Sequence, residues 1–267
     1  MPNGVPLTDL ATFVSLLHKL FHASDTIPLG RQHLFHCRQA IKQARDVVIG
    51  RSRTMSGVLV TAAVRKELLW WAHQLEHVDL TGLPLASRYS FPGTSSDSHL
   101  IRYSDAAREL EQRVNKSGAG AWCIIKGVFY YVQFLYTPEE LQAYSINVLE
   151  AHARDASGKT FLDKARMLGC SITHTTAYVD NTTAQHVAES GRTSTEMLNA
   201  LNTLRLEDLI RREVFETNER VASVDNDVAD ALSRMDSEEA LRFPRDCGLE
   251  IVRLEVPNEY RAFPKLA

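Results

Sequence analysis

The stretch that most constrains the fold is residues 171–184, SITHTTAYVDNTTA. Its β-branched and aromatic residues predict a short strand over 171–180. That strand ends on one carboxylate, Asp180, and the polar residues from Asn181 open a helix. An apolar strand that carries an acid to its C-terminal end presents it at a sheet edge, where α/β proteins build sites. Three other segments set one acid each in apolar surroundings: Asp105 after HLIRYS, Glu150 in INVLEAHA and Asp230 in DNDVADALSR. In chain order the quartet reads strand Asp, helix Glu, strand Asp, helix Asp.

At 267 residues the chain has room for one large domain or two small ones, and its 44% hydrophobic and 24% charged content is that of a globular protein. The formal net charge of −3 gives no global signal for a polyanionic partner, so any such surface is a local patch. Cys37, Cys123, Cys170 and Cys247 show no paired spacing, which points to a reduced, intracellular protein, in cytoplasm or nucleus, and not to a disulfide scaffold. No apolar run approaches the ~18 residues that span a bilayer. The N-terminus lacks the basic and apolar regions of a signal peptide, and no membrane partner is expected.

The first 97 residues read as helical. Thr8 is placed to cap a helix with Leu10, Phe13, Val14, Leu17, Leu20 and Phe21 on one stripe. A second helix is predicted from about 31 to 45, and Arg31, Arg38, Lys42 and Arg45 form its exposed basic face, the best candidate for contact with phosphates. His18 and His22, and His33 and His36, have spacings that share a helix face, but no cysteine or acid completes a zinc pattern. A third helix over 61–77 carries Val64, Leu68, Trp71 and Leu75 inward, with Trp70 beside them as packing. Residues 82–98, rich in Gly, Pro and Ser, read as a linker.

Strands follow at 99–105, at AWCII and at VFYYVQFLY, the last two joined by a Lys126-Gly127 turn. Between the first two lies a polar insertion, 106–117. Gly118-Ala119-Gly120 has no helix after it, so it is strand geometry and not a phosphate loop. Ser145 opens a helix with Ile146, Leu149 and Ala153 packed, and Glu150 stands at the edge of that face. A helix over 194–212 turns Met197, Leu201, Leu204 and Leu209 inward, and a fifth strand covers 213–223. Asp225 or Asn226 caps a last helix containing Asp230. Residues 237–267 have no clear period and are expected to lie over a domain as a strap.

This order of elements, with acids at those places, resembles ribonuclease H. The segments LLHKLFHASDTIPLGRQHL, VRKELLWWAHQL, SDAA, GAGAW, TPEEL, INVLEAHA, YVDNTTA and ADALSR look like the region after the polymerase in reverse transcriptases of DIRS-like or Ty3/gypsy-like retroelements. The resemblance implies an α/β fold, an RNase H-like five-stranded mixed sheet with helices on both faces, over residues 98–236. A small helical thumb- or connection-like segment would precede it over 1–97, and 237–267 would be a tail. It implies a metal-dependent endoribonuclease, with Asp105, Glu150, Asp180 and Asp230 as catalytic residues and ligands of two Mg²⁺ ions, Mn²⁺ able to substitute. It further implies an RNA·DNA hybrid as partner, and a polymerase domain in a parent polyprotein.

Tyr178-Val179-Asp180-Asn181 is not the Y-x-D-D turn of a polymerase palm, because the second Asp is missing and a polar helix follows. Two departures from the family stand out: the insertion at 106–117 lies beside the first acid, and SVDND replaces a histidine loop before the last helix. Two rival readings remain, a non-catalytic nucleic-acid-binding or assembly module of retroelement origin and an integrase-like DNA nuclease of the same fold.

Overall fold

The computed structural model describes residues 7–24, 27, 29–49, 57–77, 98–109, 116–180 and 195–266. The chain divides into two compact units, 1–89 and 90–267. No helix among the described residues is long and apolar enough to cross a membrane.

The first unit holds α1 (Leu10–Ala23), α2 (Phe35–Ile49) and α3 (Ala62–His77), with two three-residue strands, β1 (Leu7–Asp9) and β2 (Gly57–Leu59), paired antiparallel. Asp9, and not Thr8, caps α1: its carboxylate accepts the Thr12 amide at 2.8 Å, while Thr8 lies within β1. A 3₁₀ turn over Gln32–Leu34 delays α2 until Phe35. Its first amides are satisfied from a distance, because the buried Glu67 of α3 accepts the His36 and Cys37 N–H groups at 2.9 Å each. That inward carboxylate explains a shifted stripe. Val64, Glu67 and Trp71 are the buried positions of α3, and Leu75 is 54% exposed. Trp70 stacks on His33 at 3.9 Å, and Trp71 donates to the His33 carbonyl at 2.9 Å, so both indoles pack.

The second unit is built on a six-stranded mixed sheet. Its strands are β3 (His99–Ala106), β4 (Gly118–Ile125), β5 (Val128–Leu135), β6 (His174–Val179), β7 (Phe215–Arg220) and β8 (Glu250–Arg253), in the order β7-β6-β3-β4-β5-β8. β3, β4 and β5 form an antiparallel meander; β6 joins β3 and β7 joins β6 in parallel. The expected Lys126-Gly127 turn is present, both residues at positive φ, as a two-residue hairpin of strands with right-handed twist requires.

Helix α4 (Pro138–Ala143) starts with a capping box, Thr137 and Glu140 satisfying each other's backbone N–H. Then α5 (Ile146–Met167) and α6 (Glu196–Arg211) cover one sheet face, packing Phe161, Leu162, Ala165 and Leu209 on Leu100, Cys123 and Val132. Helix α7 (Asp227–Ser233) covers part of the other, with Val228, Ala231 and Leu232 on Phe129 and Tyr131.

Three expectations change here. Leu204 is exposed; Arg205 and Asp208 turn inward instead, because α6 faces a buried ionic cluster. Glu216 of β7 is held by Arg102 and Arg205 together, beside a fully buried Arg154. The fifth strand is shorter than 213–223. The tail is more than a strap: after α8 (Ser237–Ala240) and α9 (Arg242–Asp246) it adds β8 parallel to β5, so the sheet has a sixth strand. An unpaired β5 edge is a row of open amides and carbonyls, and β8 satisfies them. The helix expected after Asn181, the 82–97 part of the linker and residues 110–115 of the insertion lie outside the described residues.

Candidate metal centre

A ladder of rings runs across the sheet. Tyr178 of β6, Tyr103 of β3 and Trp122 of β4 stack at 4.8 and 4.4 Å between centroids, with planes within 13° and 4°, and Phe129 continues the row at 5.3 Å. Such pairs contribute roughly 0.5–1.5 kcal/mol each beyond the area they bury, and here they pin the register in which Tyr103 faces Tyr178. Two residues further along each parallel strand stand Asp105 and Asp180. The side-chain period of a strand is two, so both acids rise from the ladder's face at the same level.

Glu150 arrives from the second turn of α5. The helix is fixed there by Tyr136, whose hydroxyl donates to the Leu149 carbonyl at 2.8 Å. As a result, carboxylate oxygens of Asp105, Glu150 and Asp180 all lie within 4.8 Å of one another. Asp105 is buried and the other two are half-buried. Burial first, then the charge of Asp180, pushes the Asp105 carboxyl up to about 7; Asp230 adds to the rise and the Ser233 hydroxyl opposes it.

Asp230 approaches from the other side. Its helix, α7, reaches the sheet because Gly120 has no side chain: a Cβ there would meet the Ser233 nitrogen at 2.3 Å and the Ala229 carbonyl at 2.6 Å. Ser233 then donates to Asp105 at 3.0 Å, and Gln133 of β5 donates to the Leu232 carbonyl at 2.9 Å. Asp230 does not join the three-carboxylate group. Both its oxygens accept from Arg234 Nε at 3.0 Å, and the same guanidinium reaches Glu109 at 3.1 Å. Ser233, Arg234 and Glu109 do not stand out in the sequence, although Arg234 occupies the i+4 position from Asp230 that pairs charges on a helix.

In the first unit, Lys42 is exposed, while Arg31 and Arg38 are half-buried; Arg31 lies over the Phe21 ring at 5.4 Å. The Arg45 side chain lies outside the described residues.

A meander of β3, β4 and β5, with β6 and β7 parallel to β3 and helices on both faces, is an RNase H-like α/β fold, and its acids stand together at one end of neighbouring strands. Solved structures similar to this chain include RNase H1 from the halophilic archaeon Halobacterium salinarum NRC-1, at 14% identity over 54% of this chain and 100% of that one, TM-score 0.39. LC11-RNase H1 in complex with an RNA/DNA hybrid matches at 14% identity over 53% and 99%, TM-score 0.39. Prototype foamy virus protease-reverse transcriptase matches at 12% identity over 80% of this chain and 25% of that one, TM-score 0.29. No family model matches the chain, and no curated protein matches it.

Proposed function

We propose that the second unit is a two-metal ribonuclease H that cleaves the RNA strand of RNA·DNA hybrids, in a chain of retroelement reverse-transcriptase type. The observation that carries this reading is the convergence of three carboxylates within 4.8 Å on two parallel strand ends and one helix. The donor set fits Mg²⁺, a hard cation that prefers carboxylate oxygen, and three carboxylates with oxygens within 4.8 Å repel one another unless a cation offsets them. Asp105, Glu150 and Asp180 would hold the ions, with Asp230 completing the set. Bound Mg²⁺ would activate a water and stabilise the leaving oxygen of the phosphodiester. The chain's own part is positioning: the aromatic ladder levels Asp105 with Asp180, and Ser233 fixes the Asp105 carboxylate.

Arg31, Arg38, Lys42 and Arg45 would bind hybrid phosphates in the first unit. Removing all four charges should flatten the salt dependence of binding by about one unit of slope for each phosphate no longer neutralised. An unchanged affinity and slope would leave this face a solvated helix.

The test of the activity is cleavage of labelled RNA·DNA hybrid, double-stranded RNA and double-stranded DNA in Mg²⁺ and in Mn²⁺. Cleavage of the RNA strand of the hybrid is expected. A protein inert on all three substrates is the binding module, and cleavage of DNA alone is the integrase-like enzyme.

A further inference from the structure

Arg234 stands in a place that an ordinary surface pair does not explain. An i,i+4 Asp–Arg pair on a helix contributes little by itself. This guanidinium, however, also takes Glu109, 125 residues away in sequence, at the start of the insertion that follows Asp105. It thereby ties the fourth acid of the site to a fifth one. Arg234 and Asp230 are 46% and 42% exposed, so both side chains are free to change rotamer. Their helix is not free to move. Gly120 admits its backbone to van der Waals contact with β4, Ser233 holds it to Asp105, and Gln133 holds it to β5. Any rearrangement that brings Asp230 to the other three acids is therefore a side-chain exchange.

We propose that Arg234 is a positioning residue that gates the fourth ligand: its guanidinium, which also takes Glu109, holds Asp230 away from the Asp105, Glu150 and Asp180 group until a substrate phosphate takes it. This deepens the nuclease reading and rests on it. The exchange is chemically even-handed, because a guanidinium forks onto phosphate oxygens as it does onto carboxylate oxygens. Once Arg234 turns to the phosphate, both Asp230 oxygens are released to bind metal. Ser233, three residues along the same helix, already donates to Asp105 at 3.0 Å, so this turn of α7 stands beside the acid group and the Asp230 side chain has only a short way to swing. The gate makes full metal loading conditional on a bound phosphodiester, which suppresses hydrolysis by an incompletely assembled site.

The experiment titrates Mg²⁺ into the full chain, following heat and melting temperature, for the parent, Asp230→Asn, Arg234→Gln and the double variant. With Asp230 held by Arg234, Asp230→Asn alone should change the Mg²⁺ midpoint less than about twofold, and Arg234→Gln should tighten it about two- to fivefold, the scale of one exposed ion pair removed. In the Arg234→Gln background, Asp230→Asn should weaken Mg²⁺ binding about tenfold, a coupling that only interacting residues show. Hybrid binding in EDTA supplies a readout independent of metal: Arg234→Gln should lower the salt slope by about one unit, and Arg234→Lys should restore it. Additive effects of the two substitutions on Mg²⁺, or a salt slope that Arg234→Gln leaves unchanged, would overturn the gate while the metal site stands. Absence of any Mg²⁺ response in all four proteins would end the metal reading and the gate with it.

Discussion

Asp180→Asn separates chemistry from architecture at a single residue. The amide keeps the shape of the carboxylate and removes one of three acidic groups whose oxygens lie within 4.8 Å of one another. Hydrolysis of hybrid should fall at least ~100-fold, the scale seen when one preorganised electrostatic element is removed. Stability should hold or rise, since Asp180 is one of the groups that push Asp105 up to about 7. Thermal unfolding in EDTA together with a cleavage assay checks both halves. A large loss of melting temperature would mean that Asp180 is structural and that the activity loss says nothing of catalysis. All four acids stood out in the sequence because a lone carboxylate in an apolar run has few reasons to be there, and three of them come together in the fold. What spacing could not show is that Asp230 is held by Arg234 and Glu109, since the second of these interactions depends on a loop 125 residues upstream.

At the scale of elements, the site depends on how closely α7 approaches β4. Gly120→Ala would place a methyl carbon against backbone atoms of α7, which cannot swing aside as a side-chain tip could. The helix must shift, with a cost of about 1–3 kcal/mol for overpacking and loss of the Ser233 bond to Asp105. A lower melting temperature with a weakened Mg²⁺ response is expected; unchanged values in both would show that α7 does not set the site. On the opposite face, Glu216→Gln removes the anion that neutralises Arg102 and Arg205 beside buried Arg154. Breaking a buried cluster by one partner costs about 3–5 kcal/mol, readable by denaturant unfolding. An unfolding midpoint equal to the parent's would show that those arginines are hydrated. The meander and β6 were legible from apolar runs and turn residues. β1 and β2 were not, because three residues carry no period, and β8 was not, because EIVR is recruited by the open edge of β5 rather than by its own pattern. The inward turn of Arg205 likewise follows from its partner Glu216, which no local pattern reveals.

For the second unit as a whole, the tail is where stability and pH meet. Residues 250–263 close the β5 edge and then tie its end to α5: Arg261 donates to the Leu135 carbonyl of β5 at 2.9 Å, Tyr260 donates to Asp163 of α5 at 2.7 Å, and Phe263 stacks between Tyr144, just before α5, and His152 on it at 4.1 Å from each. His152 lies under this cover, with Nε2 on the Arg261 carbonyl at 3.0 Å, and burial pushes its pKa down to about 4. The folded chain therefore keeps His152 neutral where the unfolded chain, titrating near 6.5, takes a proton. The stability this gives is complete above pH ~6.5 and is lost as pH falls from there towards about 4, up to roughly 3 kcal/mol if the whole shift is realised. Burial alone would raise Glu216, but Arg102, Arg205 and Arg154 outweigh it and pull the carboxyl down to about 2, which adds a second loss that begins only below about 4.5. Acid unfolding should thus carry a first limb, between about pH 6.5 and 4.5, in which His152 loses stability, Asp105, raised to about 7, gains it, and Glu216 takes no part, so the His152 share is the difference between parent and variant. His152→Gln should remove the downward part of that limb and leave the lower one intact. Deleting residues 250–267 should destabilise the unit at every pH, because it opens a strand edge and uncovers Phe134 and Tyr136 as well as the histidine. Denaturant unfolding of the two variants across roughly pH 4 to 8 makes the comparison. A His152→Gln profile that superimposes on the parent's over the first limb would show that the tail opens readily enough to hydrate the imidazole, and that the cover over α5 is looser than its packing implies.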